Sequence, residues 1–382
     1  MSSSSQAAIV GVAESDLGYT PDKTVLQLQA QAARAALDDA GLSFADVDAL
    51  FCAGHWAWSP NLMLAEYLGI TPRYTDTTNI GGSSFEAHIE HAVAGIEAGL
   101  FEVALISYGS TQRSDRSRGR GSSSYRLTEQ YEGPFGLPTP VGAYALAATR
   151  HMFEYGTMNE QMAEVAVATR KWAMLNEKAM KRDPITIEDV LASRWIAEPL
   201  HLLDCCLVTD GGGAVILTSA ARARQTRKTP IWVLGHGEAH THNSIANMPD
   251  LAVHRAAITS GQAAFAKAGL TPAEIDVVEI YDSFTITVLL TLEALGFCGR
   301  GEGGAFVSQQ RTAPGGPFPM NTNGGGLSYC HPGMYGIFLL IEATRQLRGE
   351  CGPRQVEGAC TALAHGTGGV LSSAATVILG KD

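Results

Sequence analysis

Several features of common protein classes are missing from this sequence. Its 382 residues contain no run of 18 or more apolar residues, so no membrane span is predicted. Lys and Arg number 27 against 38 Asp and Glu, which gives a formal net charge of −11. Phosphate neutralisation needs clustered basic residues, and this balance therefore argues against a general nucleic-acid binder. An anionic small-molecule substrate, which needs only a local basic patch, stays possible.

Cysteine is scarce and scattered. The chain has seven cysteines, an odd number without CxxC spacing, at Cys52, Cys205, Cys206, Cys298, Cys330, Cys351 and Cys360. This pattern favours reduced thiols over a disulfide framework or a zinc site, and we expect no bound metal. The Ser-rich start, residues 1–6, shows neither a basic nor an apolar leader region. We therefore expect no signal peptide and a cytoplasmic location.

The glycine-rich loops do not follow the familiar nucleotide-binding patterns. GxGxxG followed by an acidic residue about 20 positions later is absent, and so is GxxxxGK[ST]. GxSxG and HExxH are missing as well. These absences argue against a Rossmann-type dehydrogenase, a P-loop enzyme, an α/β-hydrolase and a zinc protease.

An internal repeat is the clearest sign of organisation. Residues 35–48 and 263–276 match at a constant offset of 228, each with a helix end, a Gly, a short turn and the start of a strand. Gly41 and Gly269 lie where a helix C-terminus favours a left-handed residue. Such a motif is common in α/β proteins, but the length of the match favours duplication. The predicted halves are 1–227 and 228–382.

Helix-period and strand-period segments alternate in both halves, which predicts βαβ units and a largely parallel sheet. The predicted strands are Ala7–Val12, Ala49–Cys52, Val103–Tyr108, Ala214–Thr218, Ile231–Gly235, Val277–Ile280, Cys360–Ala364 and Ala375–Leu379. From Thr111 to about Leu203 no clear strand is found. Residues 111–203 are interpreted as a loop domain inserted into the first half.

Four polar or glycine-rich segments lie at predicted strand ends or helix starts, where open α/β sheets place their sites. They are Asn79–Phe85, Tyr281–Phe284, Asn321–Gly336 and His365–Gly369.

Two of these segments offer backbone N–H groups. Gly82, Ser83 and Ser84 precede a helix predicted over Glu86–Gly99, and a helix N-terminus favours an anion or a developing oxyanion. A simple helix cap by either serine is the alternative. Gly368 could approach a ligand closely in the same way, with a tight turn as the alternative.

The other two segments offer proton-transfer groups. Tyr281 could act as a proton donor with Asp282 as its orienting partner, although these residues alone favour a packed Tyr followed by a capping Asp. The loop Asn321–Gly336 combines Asn323, three successive glycines, Tyr329 and a His331-Pro332 pair before a helix predicted over Ile337–Leu347. So dense a polar loop favours function over packing.

Together, the four segments resemble the thiolase superfamily, and in particular the sterol-carrier-protein-type thiolases and the lipid-transfer and steroid side-chain aldolase-like proteins. Asn321–Gly336 is similar to the family loop NxxGGxxxxGHPxGATG. Tyr281-Asp282-Ser283-Phe284 is similar to the family blocks Asn-Glu-Ala-Phe and His-Asp-Cys-Phe. The resemblance covers essentially the whole chain. It implies a duplicated, five-layered α/β/α/β/α fold with an inserted loop domain, and a role for His331 in proton transfer and oxyanion binding.

The departures from the family pattern suggest a changed reaction. The family's nucleophilic Cys should fall near Gly82 or Ser83, and its second catalytic Cys is matched by His365. Without a thiolate, an acyl-enzyme is not expected. The resemblance instead implies retro-aldol cleavage of a β-hydroxyacyl-CoA, with Tyr281 or His331 as the base and the enolate held by N–H groups near Gly82–Ser84 and Gly368.

Further site residues and alternatives complete the prediction. Asp282 and His365 are further catalytic candidates, and Asn323 and Tyr329 further substrate-binding candidates. A thiolase or acyltransferase that uses Ser83, Ser84 or groups of the partner protein is one alternative function. A non-catalytic acyl-CoA or lipid-binding protein is the other.

The resemblance also implies partners. A homodimer is expected, together with a small partner protein that has an oligonucleotide-binding-type fold and a zinc ribbon. Coenzyme A is required as part of the substrate, and no other cofactor is expected. Arg113, Arg116, Arg118 and Arg120 could bind CoA phosphates, with a solvated loop as the alternative.

Overall fold

The fold is mixed α/β, seen in a computed structural model that describes residues 7–54, 56–115 and 130–381. Its strands are β1 Ala7–Glu14, β2 Ala49–Cys52, β3 Tyr74–Asp76, β4 Val103–Ser110, β5 Trp195–Ala197, β6 Leu200–His201, β7 Gly211–Ser219, β8 Ile231–His240, β9 Val277–Ile280, β10 Thr361–Gly368 and β11 Ser373–Gly380. Its helices are α1 Val25–Ala40, α2 Pro60–Leu68, α3 Ser84–Glu97, α4 Val141–Tyr155, α5 Asn159–Met174, α6 Ile187–Ala192, α7 Ala220–Ala223, α8 Arg255–Ala268, α9 Thr285–Ala294, α10 Gly303–Val307 and α11 Gly336–Arg348.

Nine strands form one sheet in the order β3-β2-β4-β7-β1-β8-β11-β10-β9. Only the pairs β2/β3, β2/β4 and β9/β10 are parallel, and the other five pairs are antiparallel. The expectation of a largely parallel sheet is therefore wrong. One physical reason is visible at β10 and β11, which are joined by a four-residue turn that is too short for a parallel crossover.

The duplicated fold predicted from the repeat is confirmed. β2-β4-β7-β1 and β9-β10-β11-β8 have the same order and the same relative directions. The caps of α1 and α8 also match, because Gly41 and Gly269 have φ of 73° and 64°. A Cβ atom makes this left-handed conformation costly, so glycine is favoured at both turns. The division at 227/228 stays a prediction, and it falls between α7 and β8.

The two halves of the sheet lie on opposite sides of a central pair of helices. The five layers are therefore an outer helix layer, one half of the sheet, the central helices, the other half of the sheet and a second outer helix layer. α1 packs outside β1, β4 and β7, and α8 packs outside β8 and β11. α3 and α11 contact strands of both halves and form the central layer. Residues 337–341 of α11 are all buried, as expected for a helix that is enclosed on every side. Both central helices begin at the same end of the molecule, where the four polar segments meet.

The segment predicted to lack strands contains two. β5 and β6 form an antiparallel hairpin at Trp195–His201, and three helices, α4, α5 and α6, lie between residues 141 and 192. The strands were missed because they span only three and two residues, too few to show a period of two. The same holds for the edge strand β3. The limits of the insertion, 111–203, stay a prediction.

One carboxylate connects several parts of the fold. Glu14, at the end of β1, accepts bonds from both terminal nitrogens of Arg345 on α11, from Tyr329 Oη (2.9 Å) and from Lys178 Nζ (3.1 Å). Burial by itself would raise the pKa of Glu14, but Arg345 and its other partners outweigh burial and hold that pKa well below its usual range.

Replacing Glu14 with Gln should lower the free energy of unfolding by about 3 kcal/mol at pH 7, since a largely buried guanidinium loses its counter-charge. Urea denaturation measures the change. Glu66→Gln on the exposed side of α2 is the matched control and should change stability by less than about 0.5 kcal/mol. Equal effects of the two substitutions would contradict the role assigned to Glu14.

Candidate active site

A cavity of about 710 Å³ lies at the end of the molecule where the central helices begin. Each of the four polar segments contributes to its wall. Gly82, Tyr281, His331 and Gly368 all line it, so four of the residues predicted from the sequence lie together. This volume is within the usual range for a small-molecule site.

The chain topology explains why these residues meet. Tyr281 directly follows β9, Gly368 ends β10, and these two strands are parallel neighbours. Gly82 lies in the turn before α3, and His331 lies in the loop before α11. α3, α9 and α11 all begin beside the cavity, so three positive helix ends are close to it. Such an environment favours an anion.

Tyr281 and His331 form a hydrogen-bonded pair. Tyr281 Oη lies 2.8 Å from His331 Nε2 and 3.3 Å from the carbonyl oxygen of Gly333. The phenol donates to His331 Nε2 in the tautomer that carries the imidazole proton on Nδ1, and this is the tautomer in which Nε2 is a base. The His331 main chain is fixed by Thr209, whose Oγ1 accepts from His331 N at 3.0 Å. The two rings meet edge to face.

Burial makes both members of this pair neutral. It lowers the pKa of His331 to about 4, and it raises the pKa of Tyr281 well above its usual value of 10. At neutral pH the imidazole is therefore an unprotonated base and the phenol keeps its proton. When another proton reaches the phenol oxygen, the Tyr281 proton can pass along this bond to the imidazole without leaving a free phenolate.

The turn at Gly82 packs directly against the Tyr281 ring. A Cβ atom at position 82 would overlap Cε2 of Tyr281 and would lie 2.7 Å from its Cζ and 2.6 Å from the Thr367 carbonyl oxygen. A Cβ at Gly368 would likewise overlap the Ile80 carbonyl oxygen. The absence of side chains at 82 and 368 lets the two halves of the molecule approach each other here.

Ser83 and Ser84 are buried and bonded away from the cavity. Ser83 Oγ lies 2.9 Å from Ser373 Oγ and donates to the Ile80 carbonyl. Ser84 Oγ donates to the Gly81 carbonyl and accepts from Ile80 N, which shapes the turn before α3. Neither hydroxyl contacts His331. The structure therefore gives no support to a serine nucleophile.

Asp282 points away from Tyr281 and supports the loop instead. Its carboxylate accepts from Gly326 N at 2.6 Å and from Leu327 N at 3.2 Å, and it does not line the cavity. Burial raises its pKa to about 7. Successive residues of extended backbone face opposite sides, so Tyr281 and Asp282 do not share one site. The orienting partner predicted for Tyr281 is wrong, and His331 occupies that place.

Asn323 and Tyr329 lie inside the loop, outside the cavity wall. Asn323 Oδ1 accepts from Gly325 N and from Tyr335 Oη, both at 2.8 Å. The Tyr329 hydroxyl donates to Glu14. Both side chains fix the conformation that presents His331, and neither is placed to bind a substrate.

His365 lies on the far side of β10. Its Nδ1 is 2.8 Å from Thr376 Oγ1, and its ring meets that of His254, just before α8. Its neighbour Gly366 faces the opposite side, against Glu86 of α3. The side-chain alternation of a strand therefore keeps His365 out of the cavity, and its predicted catalytic role is not supported.

The predicted basic cluster is only partly described. Arg113 lies over the ring of Tyr19, 5.3 Å from its centre. Arg116, Arg118 and Arg120 lie outside the described residues. Within the described parts of the chain, no group of three His, Cys, Asp or Glu side chains could hold a metal ion. No helix in those same parts is long and apolar enough to cross a membrane.

Sequence reasoning missed several residues of the cavity wall. Tyr108 ends a predicted strand. It could therefore have been found from the tendency of open α/β sheets to place their sites at strand ends. Its hydroxyl donates to the Pro332 carbonyl at 2.5 Å and holds the loop that carries His331. Tyr144 comes from the insertion and Cys206 follows it, and neither residue was part of a pattern in the sequence. Trp56 also lines the cavity, whereas Trp58, two residues further along the chain, is fully exposed.

Comparison with known proteins gives this site a family. Residues 237–381 match the family described as thiolase C-terminal domain-like. The chain is 32% identical to an acetyl-CoA acetyltransferase of Methanothermobacter thermautotrophicus, over 98% of this chain and 99% of the relative. It is 37% identical to a 17-hydroxy-3-oxo-4-pregnene-20-carboxyl-CoA lyase of Mycobacterium tuberculosis, over 91% and 92%.

A solved structure described as an Ltp2-ChsH2(DUF35) aldolase is similar over 99% of this chain and 98% of that one, with a TM-score of 0.91 and 33% sequence identity. The fold and the site thus define a thiolase-type enzyme. The chain belongs to the thiolase superfamily, as the sequence predicted. Both reactions considered from the sequence occur in the names of these relatives.

The His331 ring should stay unprotonated down to a pH of about 4, because burial disfavours its charged form. NMR titration of protein labelled in the histidine rings measures this value. The spectrum of a His331→Gln variant identifies the His331 signal by its absence. A midpoint near 6.5 would contradict the description of His331 as a buried neutral base.

Proposed function

We propose that this protein cleaves the Cα–Cβ bond of a β-hydroxyacyl-CoA by a retro-aldol reaction. The observation that carries the proposal is the neutral Tyr281–His331 pair, 2.8 Å apart, in the wall of a cavity whose turn carries Gly82 in place of a nucleophile. A base and an anion-binding environment are what this reaction needs. A nucleophile is not required.

The proton moves first through the pair. As the β-hydroxyl gives its proton to the Tyr281 oxygen, the Tyr281 proton passes to His331 Nε2. A free phenolate is avoided, which matters because burial makes that anion costly. The Cα–Cβ bond then breaks, leaving an aldehyde or ketone and a thioester enolate. Protonation of the enolate carbon, with the proton returned by His331 through Tyr281, gives the shortened acyl-CoA without any co-reactant.

The enolate oxygen is the charge that the site must stabilise. Backbone N–H groups at Gly82 and Gly368, with the positive ends of α3 and α11, are the groups we assign to it. One such donor typically contributes about 3 kcal/mol. The nearby Glu86 does not oppose an anion, since burial raises its pKa to about 8 and the carboxyl group is neutral at pH 7.

The cavity wall favours a bulky, apolar β-substituent. Trp56, Tyr144, Phe284, Val208 and Met334 supply apolar surface around about 710 Å³. A fused-ring acyl chain of the kind named for the Mycobacterium tuberculosis relative fits this description. We therefore propose a CoA ester with a steroid-like side chain as the substrate class.

Thiolytic cleavage of a β-ketoacyl-CoA is the second candidate, favoured by the relative named as an acetyl-CoA acetyltransferase. It needs a nucleophile that both serines fail to provide, since their hydroxyls are bonded within the turn. A non-catalytic acyl-CoA or lipid carrier would have no use for a positioned Tyr–His pair.

Partners and location follow as further proposals. The description of the similar aldolase names a second, DUF35 protein. We propose a small zinc-ribbon partner of this kind for the present chain, together with a homodimer, in the cytoplasm. Arg113 and the three arginines that follow it are proposed to meet the CoA phosphates, and no cofactor besides the CoA of the substrate is needed.

Two substrates distinguish the three functions. The full chain, with and without a co-expressed small partner, is incubated with a β-hydroxyacyl-CoA, and separately with a β-ketoacyl-CoA plus free CoA. Release of an aldehyde or ketone without added CoA supports the lyase. Consumption of the ketoacyl substrate alone, dependent on free CoA, would establish the thiolase. Binding of both esters without turnover would establish the carrier.

Tyr281→Phe should reduce kcat by about 10²- to 10⁴-fold, the usual contribution of a positioned acid–base group, and leave substrate affinity nearly unchanged. Steady-state kinetics and calorimetric binding of the CoA ester measure the two effects. Tyr67→Phe, on the exposed face of α2, is the matched control and should keep full activity. Normal turnover by Tyr281→Phe would remove this residue from the mechanism.

A further inference from the structure

Position 82 and the ring of Tyr281 compete for one space. The side chain that would project from residue 82 would enter the volume filled by Cε2 and Cζ of Tyr281. The family resemblance of the sequence implies that the family's nucleophile falls near this position. The aromatic ring therefore fills the space that the Cβ atom of a cysteine at position 82 would occupy.

The ring has little freedom to move aside. Tyr281 N donates to the His365 carbonyl at 3.0 Å, which fixes the backbone at the end of β9. The hydroxyl is held by His331 and by the Gly333 carbonyl. Tyr335 lies edge to face against the ring, with centroids 5.8 Å apart. Displacing the ring from Gly82 would therefore break the bond to His331.

We propose that Gly82 is the residue that determines the type of reaction: a side chain at 82 and a phenol at 281 exclude each other, and glycine at 82 selects the phenol-based lyase over a residue-82 nucleophile. This inference rests on the proposed function for its kinetic part. Its steric part is independent of any reaction.

The steric part is tested by a double-mutant cycle on the full chain. Gly82→Ala should lower Tm by at least about 3 °C more in the wild-type background than in a Tyr281→Ala background, because removing the ring removes the overlap. Relief should be partial, since the Thr367 carbonyl remains 2.6 Å from the added atom. If the single variant Gly82→Ala fails to fold but the double variant Gly82→Ala/Tyr281→Ala folds, that result supports the same conclusion.

Gly366→Ala is the matched control. Its Cβ would overlap Glu86 and lie 2.7 Å from Ser83 Cα, close to the same turn but with no atom of Tyr281 among its nearest neighbours. Its loss in Tm should be the same with and without Tyr281. The proposal would be overturned if Gly82→Ala lowered Tm equally in the wild-type and Tyr281→Ala backgrounds. It would also be overturned if neither the single nor the double variant folded.

The kinetic part uses Gly82→Ala under conditions where it is folded. A shift of about 1 Å in Tyr281 should reduce lyase kcat by at least about 100-fold while the CoA ester still binds. Unchanged kcat would overturn the assigned role of Gly82. If the wild-type protein cleaves no β-hydroxyacyl-CoA, the proposed function and this kinetic role both fail, and the double-mutant cycle still decides the steric claim. If the wild type cleaves it and the cycle shows no coupling, only the inference on Gly82 fails.

Discussion

The close approach of the turn before α3 to the ends of β9 and β10 is the contact on which the site depends. It joins the two halves of the molecule with almost no side chains between them. Gly82 faces the Tyr281 ring, and Gly368 faces the Ile80 carbonyl. A methyl group at either position would force the halves apart by more than close-packed interiors tolerate. The cavity, the Tyr281–His331 bond and the convergence of three helix N-termini all follow from this contact.

The same contact explains why the site combines a positive electrostatic environment with two uncharged side chains, Tyr281 and His331. Helix N-termini and backbone N–H groups give a positive environment, and close packing keeps water away from Tyr281 and His331. A protonated imidazole or a free phenolate would be costly in such a place. A pair that receives the substrate proton at Tyr281 while the Tyr281 proton passes to His331 avoids the free phenolate, and the negative charge that appears on the substrate balances the imidazolium that forms. The positive field is then available for the charge that appears on the substrate.

Much of the fold could be predicted from the sequence, and the limits have physical causes. Strands of four or more residues in the large sheet were found because their apolar periodicity is long enough to recognise, whereas β5 and β6 were not. The repeat at 35–48 and 263–276 was sufficient to predict the duplication. Strand directions were wrong because the local pattern of a strand does not show which neighbour it pairs with.

The site was predictable as a set of segments, but not as a set of side chains. Segment ends identify the edge of the sheet where Tyr281, His331, Gly82 and Gly368 meet. Which of two successive residues faces the cavity depends on the phase of a period-two pattern, and that phase reverses with a shift of one residue. Asp282 and His365 were assigned to the wrong side for this reason. A missing cysteine is likewise ambiguous in the sequence, since a loss and a replacement look the same there. The structure favours a replacement, because the space next to residue 82 is filled by a phenol whose oxygen lies 2.8 Å from His331 Nε2.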